Sequence, residues 1–167
     1  MVPQTPISKV EADTARLKIK ELENKKSHLG RELGKIMSSS GSFAAKTPGF
    51  PETEDQIRAI DGKLGILLEL LRRTRVVNST DELTGDAIGL YSKVVARDQN
   101  NREKVYYICH RPESYPQTMV TLVTPGSPIG QALIGEKIGD VVEISLPSAD
   151  LQLEIVEYEQ LLSPPHK

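Results

Sequence analysis

The 167-residue chain has no tryptophan, two phenylalanines and a single cysteine. One cysteine, Cys109, excludes an internal disulfide framework and with it the small secreted scaffolds that depend on one. No stretch approaches the ~20 apolar residues of a membrane span, and the opening "MVPQTPISKVEAD" lacks the basic start and apolar run of a secretory signal. A cytoplasmic protein is therefore expected, and the sequon Asn78-Ser79-Thr80 carries no weight without a route to secretion. Metal-ligand spacing is missing too: His28, His110 and His166 stand far apart, with no Cys or His beside them at ligand intervals. Cys109 and His110 read as packing or strand-edge residues. "GQALIGEK", Gly130 to Lys137, falls short of a phosphate-binding loop, because Glu136 stands where the lysine should be and no Ser or Thr follows to hold magnesium. Neither a metal nor a cofactor is expected.

What is present divides the chain in two. Up to Val77 there are 14 Lys and Arg against 10 Asp and Glu; from Asn78 onward there are 7 against 13. The polar, turn-rich "VVNSTDELTGDAIG" lies at the break, which places a boundary near Asn78 and domains at 1–77 and 78–167.

In the first part, Ala15, Ile19, Leu22, Lys26, Leu29, Leu33 and Ile36 alternate at spacings of four and three, the seam along which one helix lies on another. Lys26 is its one charged member. Ile57, Ile60, Leu64, Leu67 and Leu71 repeat the alternation. Ser8 with Glu11, and Thr53 with Gln56, have capping-box spacing and predict the two helix starts. Between the arms, "SSSGSFAAKTPGFPET" contains Gly41, Pro48, Gly49 and Pro51 and is expected to be a non-helical connection. The arms then fold back as an antiparallel hairpin, and at ~1.5 Å per residue a ~30-residue first arm is ~45 Å long. Ile66, Leu68 and Leu70 lie off the seam and are expected to be covered by the second domain or by another copy.

Beyond Asn78 the period shifts to two. "IGLYSKVVA", "EKVYYICH", "TMVTLV", "DVVEISL" and "LQLEIVEY" read as strands, with turn composition in "RDQNNR" and "RPESYPQ". Before the fourth strand, Ser127 is placed to cap a short helix with Pro128 at its first position and Gly135 past its end.

"SPIGQALIGEKIGDVVEI", Ser127 to Ile144, resembles the C-terminal signature of the bacterial Gre transcript-cleavage factors, with its Ser-Pro-Ile start, Ala-Leu-Ile-Gly helix end and Gly-Asp turn before a strand. The likeness extends to Ile155–Tyr158 and, by pattern, to the hairpin. It implies an α+β protein: an N-terminal antiparallel coiled-coil hairpin followed by an FKBP-like antiparallel β domain with a short helix. It also implies that the β domain docks on a rim of bacterial RNA polymerase, through Ser127, Pro128 and Ile129, while the hairpin enters the secondary channel. Family cleavage factors carry Gly-Asp-Leu-x-Glu-Asn-x-Glu-Tyr at the tip, where the carboxylates help hold magnesium and orient water. A gapless count puts Phe43 at the Asp, Lys46 at the Glu and Phe50 at the Tyr, and no acid lies anywhere from Ser38 to Phe50. The expectation is a transcription elongation regulator that binds polymerase without stimulating cleavage and is not itself an enzyme, with weak or indirect contact to nucleic acid.

Two other classes are compatible with the elements. One is a coiled-coil scaffold or chaperone. The other is a prolyl isomerase of FKBP-like fold, disfavoured because the second part has no Phe or Trp, and because Tyr106 and Tyr107 point to opposite faces of a strand.

Overall fold

The computed structural model describes residues 4–83, 85–116, 118–147 and 150–165. Two compact units emerge. One is the hairpin, Asp13–Thr74; the other joins the described residues up to Ala12 with those from Arg75 onward. The chain therefore begins in the sheet unit, makes the hairpin and returns.

β1 (Thr5–Ser8) pairs with β2 (Thr74–Val77), a two-stranded ribbon that frames the hairpin at both ends in sequence. Four residues each were too few to show a period. Between them run α1 (Lys9–Ser40) and α2 (Phe50–Arg73). The seam is as the alternation predicts: Ala15, Leu22, Leu29, Ile60, Leu64 and Leu67 are buried together, with Ile19, Ile57, Leu70 and Leu71 against them. Lys26 explains itself by donating to Asp61 Oδ1 of the opposite helix at 2.6 Å, which ties the register of the two arms. Leu70 joins the seam cluster. Ile66 and Leu68, expected to be covered, are 71% and 52% exposed.

The connection is shorter than its composition suggests. α1 continues through the serine cluster, a 3-10 turn spans Gly41–Lys46, and α2 begins at Phe50 rather than at Thr53. Gly49 at φ 89° reverses the chain, and Pro51 fits the first turn, where its missing N–H costs nothing. Thr53 is inside the helix, with Oγ1 bonded to the Gly49 carbonyl at 2.6 Å.

In the second unit β3 (Ser92–Asp98), β4 (Glu103–Ile108), β5 (Thr121–Val123), α3 (Pro128–Leu133), β6 (Val141–Ser145) and β7 (Asp150–Gln160) follow in order. The sheet order is β5-β4-β3-β7-β6. Pairing is antiparallel except at one edge, where β5 runs parallel to β4; a short 3-10 turn at Pro112–Ser114 sits in the crossover between them. The β3–β4 turn closes on Asp98, whose Oδ1 accepts from the N–H groups of Asn100 and Arg102.

Strict alternation gives the sheet two different faces. On one, Val94, Ala96, Tyr106, Ile108, Val142, Ile144, Leu153 and Ile155 pack with Leu133 of α3 into the main core. On the other, Tyr107 and Cys109 gather Val77, Leu83, Tyr91 and Tyr115 into a second core. Tyr106 and Tyr107 thus belong to separate cores and line no common pocket. Among the described residues no helix is long and apolar enough to cross a membrane.

Candidate functional sites

At the α3 turn, each residue of "SPIG" has a structural task. Ser127 Oγ accepts from Gly130 N at 3.1 Å and donates to the Thr124 carbonyl at 2.7 Å, capping the helix while fastening the preceding turn. Pro128 occupies the first turn and is exposed. Ile129 packs against the main core. Gly130 is buried so closely that a Cβ there would lie 2.0 Å from the Thr124 carbonyl oxygen. Of the three residues assigned to docking by resemblance, Pro128 is exposed, and Ser127 and Ile129 are half-buried.

The hairpin tip presents the opposite picture. Phe43 is 71% exposed on the 3-10 turn. Ala44 beside it is buried, Lys46 is exposed and Phe50 is half-buried. Thr47 N donates to the Ala44 carbonyl at 2.9 Å, Phe50 N donates to the Thr47 carbonyl at 3.1 Å, and Thr47 Oγ1 donates to the Phe43 carbonyl at 3.3 Å, which together close the turn. The bordering acids sit outside it: Glu32 is one turn and more back along α1, and Glu52 opens α2, where the helix dipole favours negative charge. A Phe and a Lys cannot ligate a hard cation. No group of three or more His, Cys, Asp or Glu is placed to hold a metal among the described residues.

Sequence reasoning missed a buried polar cluster inside the sheet unit, which ties Ser8 and Glu11 to Tyr91, Arg111 and Tyr115. Glu11 has the spacing to cap back onto Ser8, and half of that box forms: Glu11 N donates to Ser8 Oγ at 3.2 Å. The carboxylate goes elsewhere. Its two oxygens accept from Tyr91 Oη at 2.7 Å and from Arg111 N at 3.0 Å, while Tyr91 Oη accepts from Ser8 N at 2.8 Å. The tyrosine hydroxyl stands inside the capping box as a relay, and Ser8 Oγ bonds Tyr115 Oη at 2.7 Å. Burial, followed by the charge of Glu11, pushes the Tyr91 hydroxyl well above its ordinary range; Tyr115 is raised by burial as well. Burial also pushes the Cys109 thiol up to about 12, which leaves it unreactive. His110 stands edge-on to Tyr91 with Nε2 buried and unpartnered, and burial holds its pKa below normal. Only the Ser8–Glu11 spacing hinted at this cluster; the partners lie 80 and more residues away.

Residues 83–160 match the family model described as transcription elongation factor GreA/GreB, C-terminal. Transcription elongation factor GreA of Acetivibrio thermocellus is 32% identical over 140 residues, covering 82% of this chain and 86% of that protein. GreA of Clostridium novyi is 30% identical over 141 residues, with the same coverage of 82% and 86%. Among solved structures, GreA factor homolog 1 (Gfh1) of Thermus thermophilus aligns over 94% of this chain and 99% of its own at 19% identity and a TM-score of 0.43. The capped α3 turn lies within the matched segment, and the identity to GreA runs through most of both chains; the chain belongs to the GreA/GreB family of transcription elongation factors.

Proposed function

We propose that this protein is a regulator of bacterial RNA polymerase that docks through its sheet unit, places its hairpin in the secondary channel and does not stimulate transcript cleavage. One observation carries the last and most specific part. The tip presents Phe43 and Lys46 at positions where cleavage factors of the family resemble one another in carrying carboxylates, and no acid occurs between Glu32 and Glu52. Cleavage stimulation requires oxygen ligands that add a divalent cation and aim a water. Hydroxyls and backbone carbonyls at this tip do not supply the negative charge, and Lys46 repels the metal.

The docking half of the proposal rests on family membership and on Pro128, exposed at the start of α3. Domains 1–77 and 78–167 are retained as its functional division, arm and dock, and the protein acts without a cofactor in the cytoplasm where polymerase works. The test uses purified backtracked elongation complexes with magnesium. The full chain is expected to leave the intrinsic rate of transcript shortening unchanged and to lower, in proportion to its concentration, the shortening stimulated by a cleavage-competent Gre factor. Robust shortening by this protein alone contradicts the tip reading; absence of any competition contradicts polymerase binding.

A further inference from the structure

The outer side of α2 carries a second row of residues at helical spacing. Asp55, Ala59, Gly62, Ile66, Glu69 and Arg73 recur at intervals of four and three, and helix geometry sets this row opposite the buried seam of Ile60, Leu64 and Leu67. Five of the six are exposed, and Glu69 is half-buried. Ile66, at 71% exposure, projects from the middle of the row. One turn before it, a Cβ built at Gly62 would meet nothing within 4 Å, so the helix offers a gap over bare backbone there. The row thus has a knob and, beside it, a hole.

In order along the helix, the row is complementary to its own reverse. Two copies of α2 laid antiparallel and centred at the level of Leu64 put Ile66 of each over Gly62 of the other. Asp55 then faces Arg73 at both ends of the contact. Glu69 faces Ala59, with Arg58 on the same flank to pair with it. A parallel arrangement fails, because it sets Asp55 against Asp55 and Glu69 against Glu69. Within one copy Arg58 lies 3.3 Å from Asp55, and Arg73 bonds Glu69. These pairs stand in solvent and contribute little, so their charges can be shared across a twofold axis.

We infer that the outer face of α2 is a self-association surface, and that its partner is a second copy of this chain bound antiparallel. The contact is isologous, each knob entering the other copy's hole and each acid meeting the other copy's base. One helix face is smaller than a standard interface, which makes the dimer weak, with a dissociation constant on the order of tens of micromolar. On the functional reading above, pairing covers α2 and withholds the arm from the channel. Self-association then opposes polymerase binding.

The test is sedimentation velocity of the full chain from about 5 to about 500 µM, with urea unfolding midpoints measured alongside. Wild type is expected to shift from monomer to dimer across this range. Asp55→Arg and Arg73→Asp are each expected to weaken association at least about tenfold, since each opposes like charges at both ends, with midpoints little changed because both side chains are in solvent. An equimolar mixture of the two variants is expected to recover the dimer, because every altered charge then meets its opposite. Should either charge variant fail to fold, Ile66→Asp, expected to abolish the dimer, still decides. Wild type that stays monomeric throughout overturns the inference, as does a dimer that all three variants retain, and both leave the polymerase reading intact. In competition with a labelled Gre factor for core polymerase, at concentrations where wild type is dimeric, Asp55→Arg is expected to compete better than wild type. Weaker competition by the variant assigns the row to polymerase and overturns the opposing role of the dimer. No competition by either protein removes the polymerase reading, while sedimentation still decides the dimer.

Discussion

Along the hairpin, ion pairs stand in solvent and join near neighbours: Arg16 with Asp13, Arg58 with Asp55, Arg72 with Glu69, and Lys26 with Asp61 across the seam. In the sheet unit a carboxylate is buried outright, Glu11 meeting Tyr91 and Arg111 from distant parts of the chain. Exposed pairs contribute roughly 0–1 kcal/mol each and act almost independently. Buried networks are strongly coupled, because losing one member strands the others without water. The hairpin is thus built of separable increments. The sheet unit depends on a few contacts that fix one another.

The widest gap between the two is expected at Gly130. Its hypothetical Cβ meets backbone rather than a flexible side chain, 2.0 Å from the Thr124 oxygen, so Gly130→Ala must displace the turn or α3 itself. A loss of about 3 kcal/mol is expected, at the upper end of overpacking effects, read from urea unfolding of the full chain. Gly62→Ala or Gly65→Ala in α2, where nothing lies within 4 Å of the added carbon, is expected to stabilise by about 0.5–1 kcal/mol. Equal effects at the two kinds of glycine erase the contrast.

Next comes Glu11→Ala, which leaves Tyr91 Oη and the Arg111 N–H without their acceptor in a buried site. Stranding buried donors costs about 1–3 kcal/mol each. A total near 2–4 kcal/mol is expected, with Glu11→Gln recovering part of it because one acceptor oxygen remains. A Glu11→Ala protein as stable as wild type shows the cluster to be incidental.

In the hairpin, Leu64→Ala removes a buried seam side chain and is expected to cost about 2 kcal/mol, toward the low end for leucine because the two-helix seam is thin. Ile66→Ala, two positions on and 71% exposed, is expected to stay within about 0.5 kcal/mol. If Ile66 proves as costly as Leu64, something covers it in solution.

These positions also show what could be read without coordinates. The seam was legible because α-helical periodicity repeats over many turns, and Lys26 stood out as the exception that the Asp61 contact explains. The strands of the sheet and the Ser127 cap were legible for the same local reasons. The β1–β2 ribbon was not, since four-residue strands carry no period. The parallel placement of β5 was hidden as well, because direction depends on the crossover and not on the strand. Phe50 was assigned to the loop, whereas a proline at the second helical position is a helix start as readily as a break. As for function, Phe43 and Lys46 could be named only by a gapless count against the tip motif of the Gre factors that the chain resembles, and the exposure of Phe43 and the core packing of Ile129 could not be read at all.

The smallest effect expected is a dependence on pH that arises in the sheet unit, at His110. His110 has its pKa held down, first by burial and against the pull of Glu11 and a hydrogen bond to the Pro6 backbone. Its folded form therefore favours neutral imidazole, while the unfolded chain binds the proton at the ordinary value near 6.5. Stability from this group is complete above about pH 6.5 and is lost as pH falls through that value toward the lower folded pKa, because the unfolded state then holds more protons. In the hairpin, Glu69, held at about 2 by hydrogen bonds from Arg72 and Arg73, changes only below the carboxylate range. Glu82 and Asp98 in the sheet unit, both lowered by backbone hydrogen bonds, also act below it. Thermal melts from pH 7.5 to 5.5 are expected to fall more steeply for wild type than for His110→Gln, which cannot charge, with the two curves parallel above about pH 7. Curves that stay parallel across the whole range show that burial of His110 is not coupled to protonation, and the contrast between a coupled sheet unit and an additive hairpin then rests on Gly130 and Glu11 alone.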